Sequence, residues 1–434
     1  MPPEPSTSPI LEWACSRLGR KAAASGVLHR ALAVEDWPLP PKAFPSGTAL
    51  VGGAVRDGLL GRLGPKPDLD LVVPEDAIAL CRVLGRRHGG TVVVLDAERS
   101  IARLVLRGWS LDLARRVGES LECDLWRRDF RLNALALPLE PGAELLDPTG
   151  GLEDLIQGEL VAVREANLLD DPLRMLRGVR LAAELGFRLE PRTQAWIACH
   201  HDRISQVAPE RVLQELERLA DAPGGGAGLE EALALGLLDP WRPIVPGPLW
   251  GPGVNPGAGA RNLDHPQARE LGLSPTEAAR ALPLARLAWL LDAPALERLR
   301  SSRQLQQRCG RLRQWLLRLL GSTGDIPVGL ENLSEAQRLT LHQQLETDLP
   351  ALLLFFPGNL AAEWLARWRN PQDPLFHPRA PIDGHTLQVS LGLSPSPQLG
   401  ELLAHLTLEA ACGRLRGRDE ALRQARLWLT RTMA

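Results

Sequence analysis

Tyrosine is absent from the 434 residues, and lysine occurs only at Lys21, Lys42 and Lys66. Nearly all positive charge is therefore arginine, the side chain whose planar fork suits phosphates and base edges. A genomic preference for arginine codons accounts for the same bias, and for 12 tryptophans beside no tyrosine. Net charge is only −2, so bulk charge announces no polyanionic partner. The six cysteines are scattered with no C-x-x-C pair, which argues against zinc and against a disulfide framework and points to a reducing cytoplasm. No run approaches the roughly 18 consecutive apolar residues of a membrane span, and no apolar segment follows a basic start. These shortages leave a cytoplasmic protein with no membrane partner, 44% hydrophobic and 24% charged, long enough for more than one core.

The pattern along the chain changes character once. From about Leu50 to Ala136, short β-type runs alternate with helical ones: "ALVGGAVRDGLLG" reads as strand, glycine turn and helix, while "DLDLVV", "TVVVLD", "ARLVLR" and "WSLDLA" read as strands. From about Leu152 onward the periodicity is almost wholly helical. The expected fold class is α+β, an N-terminal head with a mixed β-sheet flanked by helices, followed by a long all-α body. The expected divisions are a tail or helix over 1–25, the head over 26–148, a helical neck over 149–222, a Gly/Pro-rich linker over 223–262 and a helical body over 263–434.

The stretch "DLDLVV" (68–73) raises the first chemical question. On a strand, Asp68 and Asp70 share a face, and their charges repel. A hard divalent cation such as Mg2+, which takes carboxylate and phosphate oxygens, would relieve that repulsion; an edge strand with both aspartates in water would do so equally well. Just upstream, "VGGAVRDGLLG" (51–61) places Gly52 and Gly53 at a strand-to-helix turn. Glycines there let backbone N–H groups approach a phosphate, and Arg56 lies one turn into the helix. A phosphate cradle followed by paired carboxylates describes a nucleotidyltransferase, one element holding a triphosphate and the other the metals for in-line attack by a hydroxyl.

The text then becomes specific. "LVGGAVRDGLLGR…DLDLVV" resembles the first motif of the class II tRNA nucleotidyltransferase (CCA-adding enzyme) and bacterial poly(A) polymerase family, members of the polymerase-β-like superfamily. In order follow "RRDFRLNALAL" (127–137), similar to the family's RRDFTINA motif, and "DPTGGLEDL" (147–155), similar to its D-x-x-G-G-x-x-D-L segment. "DDPLRMLRGVRLAAELGF" (170–187) resembles the family's EDPLR segment, "PERVLQELERL" (209–219) its downstream helix, and "IDGHTLQVSLGLSPSPQLGELL" (382–403), more loosely, its tail.

The resemblance implies template-independent addition of C and A from CTP and ATP to the 3′ end of tRNA, with two Mg2+ ions held by Asp68 and Asp70. It implies Gly52, Gly53, Arg56, Asp57, Arg128, Asp129 and Asn133 at the nucleotide, with Gly53 and Arg56 holding the triphosphate and Arg128 the ribose and phosphates. Asp112, in "WSLDLARR", would be a third carboxylate that receives the attacking hydroxyl's proton, or else an exposed strand residue.

Asp171, Arg174, Arg177 and Arg180 follow an i, i+3 spacing and are expected along one helical face. A carboxylate accepts from the exocyclic amine of C or A, and a guanidinium donates to a ring acceptor, so the pair Asp171 and Arg174 can read those bases. A helix laced with i, i+3 salt bridges has the same spacing. In the family this pair serves as a protein template; Asp170 stands here where relatives have Glu.

A second departure bears on the product. Relatives that build the whole CCA end carry a flexible loop between the "WSLDLA" strand and the RRDF motif, whereas here only "VGESLECDLW" (117–126) separates them. CC-only or A-only addition is thus an alternative to CCA synthesis. A poly(A) polymerase shares the motifs, and a non-catalytic tRNA-binding protein would retain the fold. Arginines in "RLRQWLLRLLG" and "ARLWLTRTMA" would grip tRNA backbone or simply line solvated helix faces. Leu291 stands where a phosphohydrolase His-Asp pair would need histidine before Asp292, so no such activity is expected.

Overall fold

The computed structural model describes residues 20–241, 263–320, 329–356 and 358–432. The chain divides into two compact units, one holding residues up to Val207 with Leu235–Leu237, the other Ala208–Ala234 with Leu238 onward. Residues 1–19 of the expected N-terminal tail or helix and residues 242–262 of the expected linker lie outside the described residues.

The first unit is built on a mixed sheet of six strands: β1 (Ala49–Val51), β2 (Leu69–Val73), β3 (Thr91–Asp96), β4 (Ile101–Leu106), β5 (Trp109–Arg115) and β6 (Ala136–Pro138), in the order β3-β4-β5-β2-β1-β6. Only β2 and β5 run parallel. The β4–β5 hairpin turns through Arg107 (φ 52°) and Gly108 (φ 78°), the two positive dihedrals that let a two-residue turn follow the strands' right-handed twist.

Alternation then sorts the faces. Leu69, Leu71, Leu104, Leu111 and Leu113 are buried on one face, against the helix α3 that carries Cys81 and Leu84. On the other face the register aligns Val51 with Asp70, Asp70 with Asp112, and Asp112 with Arg103. A polar row thus crosses the centre of an otherwise apolar sheet. β2 begins at Leu69, so Asp68 is not within the strand as expected but immediately ahead of it, exposed. Pro67 offers no N–H to extend the ladder in that direction.

The helices of this unit are α1 (Arg20–Leu32), α2 (Gly53–Leu59), α3 (Ala77–His88), α4 (Leu121–Leu125), α5 (Gly151–Gln157), α6 (Glu165–Asp170), α7 (Leu173–Leu185) and α8 (Pro191–His200). Two short parallel strands, β7 (Glu159–Leu160) and β8 (Arg188–Leu189), interrupt the stretch expected to be almost wholly helical. The expected single helix over the "DDPLRMLRGVR" segment is broken as well. Asp171 is extended (φ −141°, ψ 96°) between α6 and α7, because the residue before a proline is driven out of the helical region and Pro172 follows.

Among its described residues the second unit is all-α: α9 (Pro209–Asp221), α10 (Gly225–Ala234), α11 (His265–Glu270), α12 (Pro275–Leu290), α13 (Ala293–Arg298), α14 (Arg303–Leu320) and further helices to Thr432. Helix α12 packs against α9 and α14 and is apolar on nearly every side, as a central helix must be. The Gly-rich stretch expected to be linker forms α10 instead. An ideal Cβ on Gly225 would lie 2.3 Å from the Leu219 carbonyl oxygen and 2.6 Å from Arg286 Nη1, so glycine here serves close packing. Arg313, in a helix expected to present arginines outward, is buried and donates to the Ala288 and Trp289 carbonyls at 3.1 Å each.

Candidate active site

Gly52 follows β1 and caps α2 with φ 73° and ψ −138°, a conformation that L side chains rarely adopt. An ideal Cβ there would lie 3.0 Å from Asp70 Oδ2 and 3.6 Å from Arg128 Nη1. The glycine turn, the strand carboxylate and the RRDF-type arginine therefore meet at one point. Gly53 differs, since its Cβ would meet only Arg56 Nη2, at 3.7 Å.

Asp70 is partly buried beside two other carboxylates. Burial raises its pKa to about 6; the Arg128 guanidinium opposes that rise, while Asp112 and Asp68 add to it. The uncompensated negative charge is what a cation would relieve. Among the described residues no three His, Cys, Asp or Glu side chains converge as a metal cage. Asp68 and Asp70 nevertheless fit Mg2+, which binds through one or two carboxylates and completes its shell with water and substrate phosphate. Asp112 is placed differently: Arg103 Nε donates to its Oδ1 at 2.7 Å and Arg103 Nη2 to its Oδ2 at 2.8 Å, so both oxygens are engaged.

Five of the sequence-predicted residues form one chain of contacts. Arg56 donates to both Asp57 oxygens (2.8 and 2.9 Å) and to Asn133 Oδ1 (2.8 Å). Asn133 Nδ2 donates to Asp129 Oδ1 at 3.3 Å, and Arg177 Nη1 lies 3.7 Å from Asp129 Oδ2. Arg56 is buried, and these bonds use three of its five N–H groups. Arg128 donates to Asp124 Oδ2 at 3.3 Å, while its buried Nε has no hydrogen-bond partner among the described residues.

Arg174 Nη1 donates to the carbonyls of Asn167 (2.9 Å) and Arg127 (3.2 Å), and Asp171 Oδ1 accepts from the Leu173 N–H at 3.3 Å. Arg180 is buried on α7 and donates to Glu184 Oε2 at 2.6 Å. Two contributors escaped sequence reasoning. Asn167 Nδ2 donates to the Arg128 and Trp126 carbonyls (2.7 and 3.0 Å), and Asp124 Oδ1 accepts from the Val117 N–H at 3.0 Å. Asn167 acts through tertiary contacts that no local spacing marks, whereas Asp124 stands four residues before Arg128, an i, i+4 spacing present in the sequence.

Comparison with known proteins bears on this geometry directly. The family model described as "Poly A polymerase head domain" matches residues 48–161, and that described as "Probable RNA and SrmB- binding site of polymerase A" matches 186–246. A CC-adding tRNA nucleotidyltransferase from Synechocystis sp. is 33% identical over 92% of this chain and 98% of its own. The chain belongs to the class II tRNA nucleotidyltransferase and bacterial poly(A) polymerase family. A second CC-adding tRNA nucleotidyltransferase, from Geobacter sulfurreducens, is 31% identical over 91% of this chain and 96% of its own. The solved Thermotoga maritima CCA-adding enzyme complexed with tRNA superposes with a TM-score of 0.63 over 88% of this chain and 91% of that one, at 23% identity, which establishes the shared fold. The protein is a nucleotidyltransferase, and no described helix is long and apolar enough to cross a membrane.

Within this tRNA nucleotidyltransferase fold the connection from β5 to the RRDF-type segment is short and closed. Ser120 Oγ accepts from the Cys123 N–H at 3.3 Å to start α4, and Asp124 ties α4 to Val117 and Arg128. Gly118 turns at φ 90°, where a Cβ would lie 2.9 Å from Cys123 Cβ.

Proposed function

We propose that this enzyme extends the 3′ end of tRNA with cytidine from CTP and stops at CC. The observation that carries this reading is the compact 117–126 connection, held shut by Asp124 and Gly118 where CCA-building relatives have a flexible loop. The two relatives aligned over more than nine tenths of the chain, both CC-adding, support it.

In this reading the RNA 3′-oxygen bonds to the α-phosphorus of CTP as the bond to pyrophosphate breaks. Asp68 and Asp70 would hold two Mg2+ ions, whose charge would favour ionisation of the attacking hydroxyl and offset that of the leaving pyrophosphate. Gly52 lets the backbone approach the triphosphate without displacing Asp70. Arg128 supplies positive charge beside Asp70, and the Arg56–Asn133–Asp129 chain fixes the ribose end of the pocket. Asp171 and Arg174 read the base, Asp171 accepting from an exocyclic amine. The place of action is the cytoplasm; the five cysteines among the described residues are all free thiols.

The test supplies tRNA transcripts ending before CCA, after C and after CC, with labelled CTP or ATP singly and together. Two cytidines on the first transcript, one on the second and no adenosine on the third are expected. Adenosine on the transcript ending in CC would remove the CC-only reading, and a long adenosine tail would point to poly(A) synthesis.

A further inference from the structure

Arg103 belongs to none of the motifs, yet it is the cation of the polar row. It stands on β4 directly opposite Asp112 on β5, and Asp112 stands directly beside Asp70 on β2. With neighbouring strands about 4.8 Å apart, Arg103 lies roughly 10 Å of backbone from Asp70, on the same face. Its guanidinium grips both Asp112 oxygens through Nε and Nη2, which leaves Nη1 and the second Nη2 proton outside that pair. The side chain is still 43% exposed. Its charge is felt at the reaction centre, where Arg103 is among the groups that counter the rise at Asp70.

A structural salt bridge explains this arrangement poorly. A pair this exposed is worth about 0–1 kcal/mol, and β4 and β5 are already joined by a full ladder and a tight hairpin. A guanidinium fixed along one edge by a carboxylate, with the other edge in water, is instead built to take a phosphate through parallel N–H bonds. We propose that Arg103 binds a substrate phosphate at this site and that Asp112 is its positioning partner, not a third metal carboxylate or the proton acceptor. The inference rests on the nucleotidyl-transfer reading of the Asp68–Asp70 site. The phosphate belongs either to the incoming triphosphate or to the RNA's terminal phosphodiester, which share the same recognition chemistry.

The experiment uses the full chain and the variants Arg103→Ala, Arg103→Lys, Asp112→Asn and the double Arg103→Ala/Asp112→Asn. CTP binding without RNA, binding of RNA ending before CCA without nucleotide, and Mn2+ binding by electron paramagnetic resonance without either are measured at equilibrium. Arg103→Ala should weaken one substrate about tenfold, as loss of a charge-assisted fork does. A loss in the CTP arm assigns the triphosphate, and a loss in the RNA arm assigns the RNA end. Arg103→Lys should recover part of the loss. Asp112→Asn should show a smaller defect in the same arm with Mn2+ binding unchanged, and the double variant should be no worse than Arg103→Ala. Unchanged binding of both substrates by Arg103→Ala overturns the proposal, as does loss of Mn2+ binding in Asp112→Asn. Failure of the wild-type protein to incorporate any nucleotide would instead sink the underlying reading.

Discussion

Gly52 and Asp70 oppose each other so closely that a single methyl group would separate them: a Cβ on Gly52 would lie 3.0 Å from Asp70 Oδ2, on a residue whose φ is already 73°. Gly52→Ala therefore adds about 1–3 kcal/mol of backbone strain and a push on the carboxylate. The expected outcome is a loss of nucleotide incorporation of about a hundredfold, the scale at which ångström misplacements act, with the far-ultraviolet dichroism of the wild type retained. Single-turnover incorporation with saturating CTP reads it. Turnover within a few-fold of wild type would mean that the close approach is not needed.

The Arg56–Asn133–Asp129 chain predicts coupled stability. Asn133→Ala removes the acceptor for Arg56 Nη1 and the donor to Asp129 together. Because Arg56 is buried, the vacated donor stays out of water, and unfolding free energy should fall by about 1–2 kcal/mol in urea titration. Arg56→Ala in the same background should cost less than it does alone, since both changes break one network. Strict additivity would show that the bonds do not act as a unit.

How much of this was legible beforehand follows from which interactions are local. Asp70 and Asp112 stand out because each is an acid in a Leu-rich strand, and strand alternation alone assigns the faces. The pairing of Asp112 with Arg103 depends on β4, β5 and β2 lying side by side, and no spacing in the text encodes that order. The i, i+3 spacing sets Asp171 on a helix, but Pro172 drives the residue before it into extended backbone, an effect that is local and readable in the sequence. Gly225 to Gly228 read as linker by composition, but glycine there permits contact with the Leu219 carbonyl and Arg286, which only packing reveals. Asn167 acts through the backbone carbonyls of Trp126 and Arg128, some forty positions away, and so left no local mark.

Asp124 closes the 117–126 connection, accepting from the Val117 N–H and from Arg128. Asp124→Ala should release both, letting the connection open and Arg128 shift from Asp70. Limited proteolysis should cut faster within 117–126, and incorporation should fall about tenfold, roughly the 1.4 kcal/mol that one charge-assisted hydrogen bond is worth. A variant that resists proteolysis as the wild type does would show the connection closed by other means.

Asp154, on α5, gives a prediction in pH. Its side chain is only 6% exposed, Oδ2 has no hydrogen-bond partner among the described residues, and Arg131 Nη1 is 3.9 Å from Oδ1. Burial pushes the carboxyl up to about 7, against a weaker downward pull from Arg131. The folded pKa thus lies above the unfolded value near 4, so the native state binds the proton more tightly. The cost of ionising Asp154 is absent at pH 4, grows as pH rises through the interval, and levels off above about 7. Asp154→Asn keeps the shape and removes the charge. It should match the wild type at pH 4 and exceed it by about 1–3 kcal/mol at pH 8, a part of what the shift implies at 1.36 kcal/mol per unit. Thermal unfolding of both proteins from pH 4 to pH 8 supplies the difference curve. A flat difference would mean that the carboxyl finds solvent or a second cation when it ionises, and the unpaired Oδ2 would then have no energetic consequence.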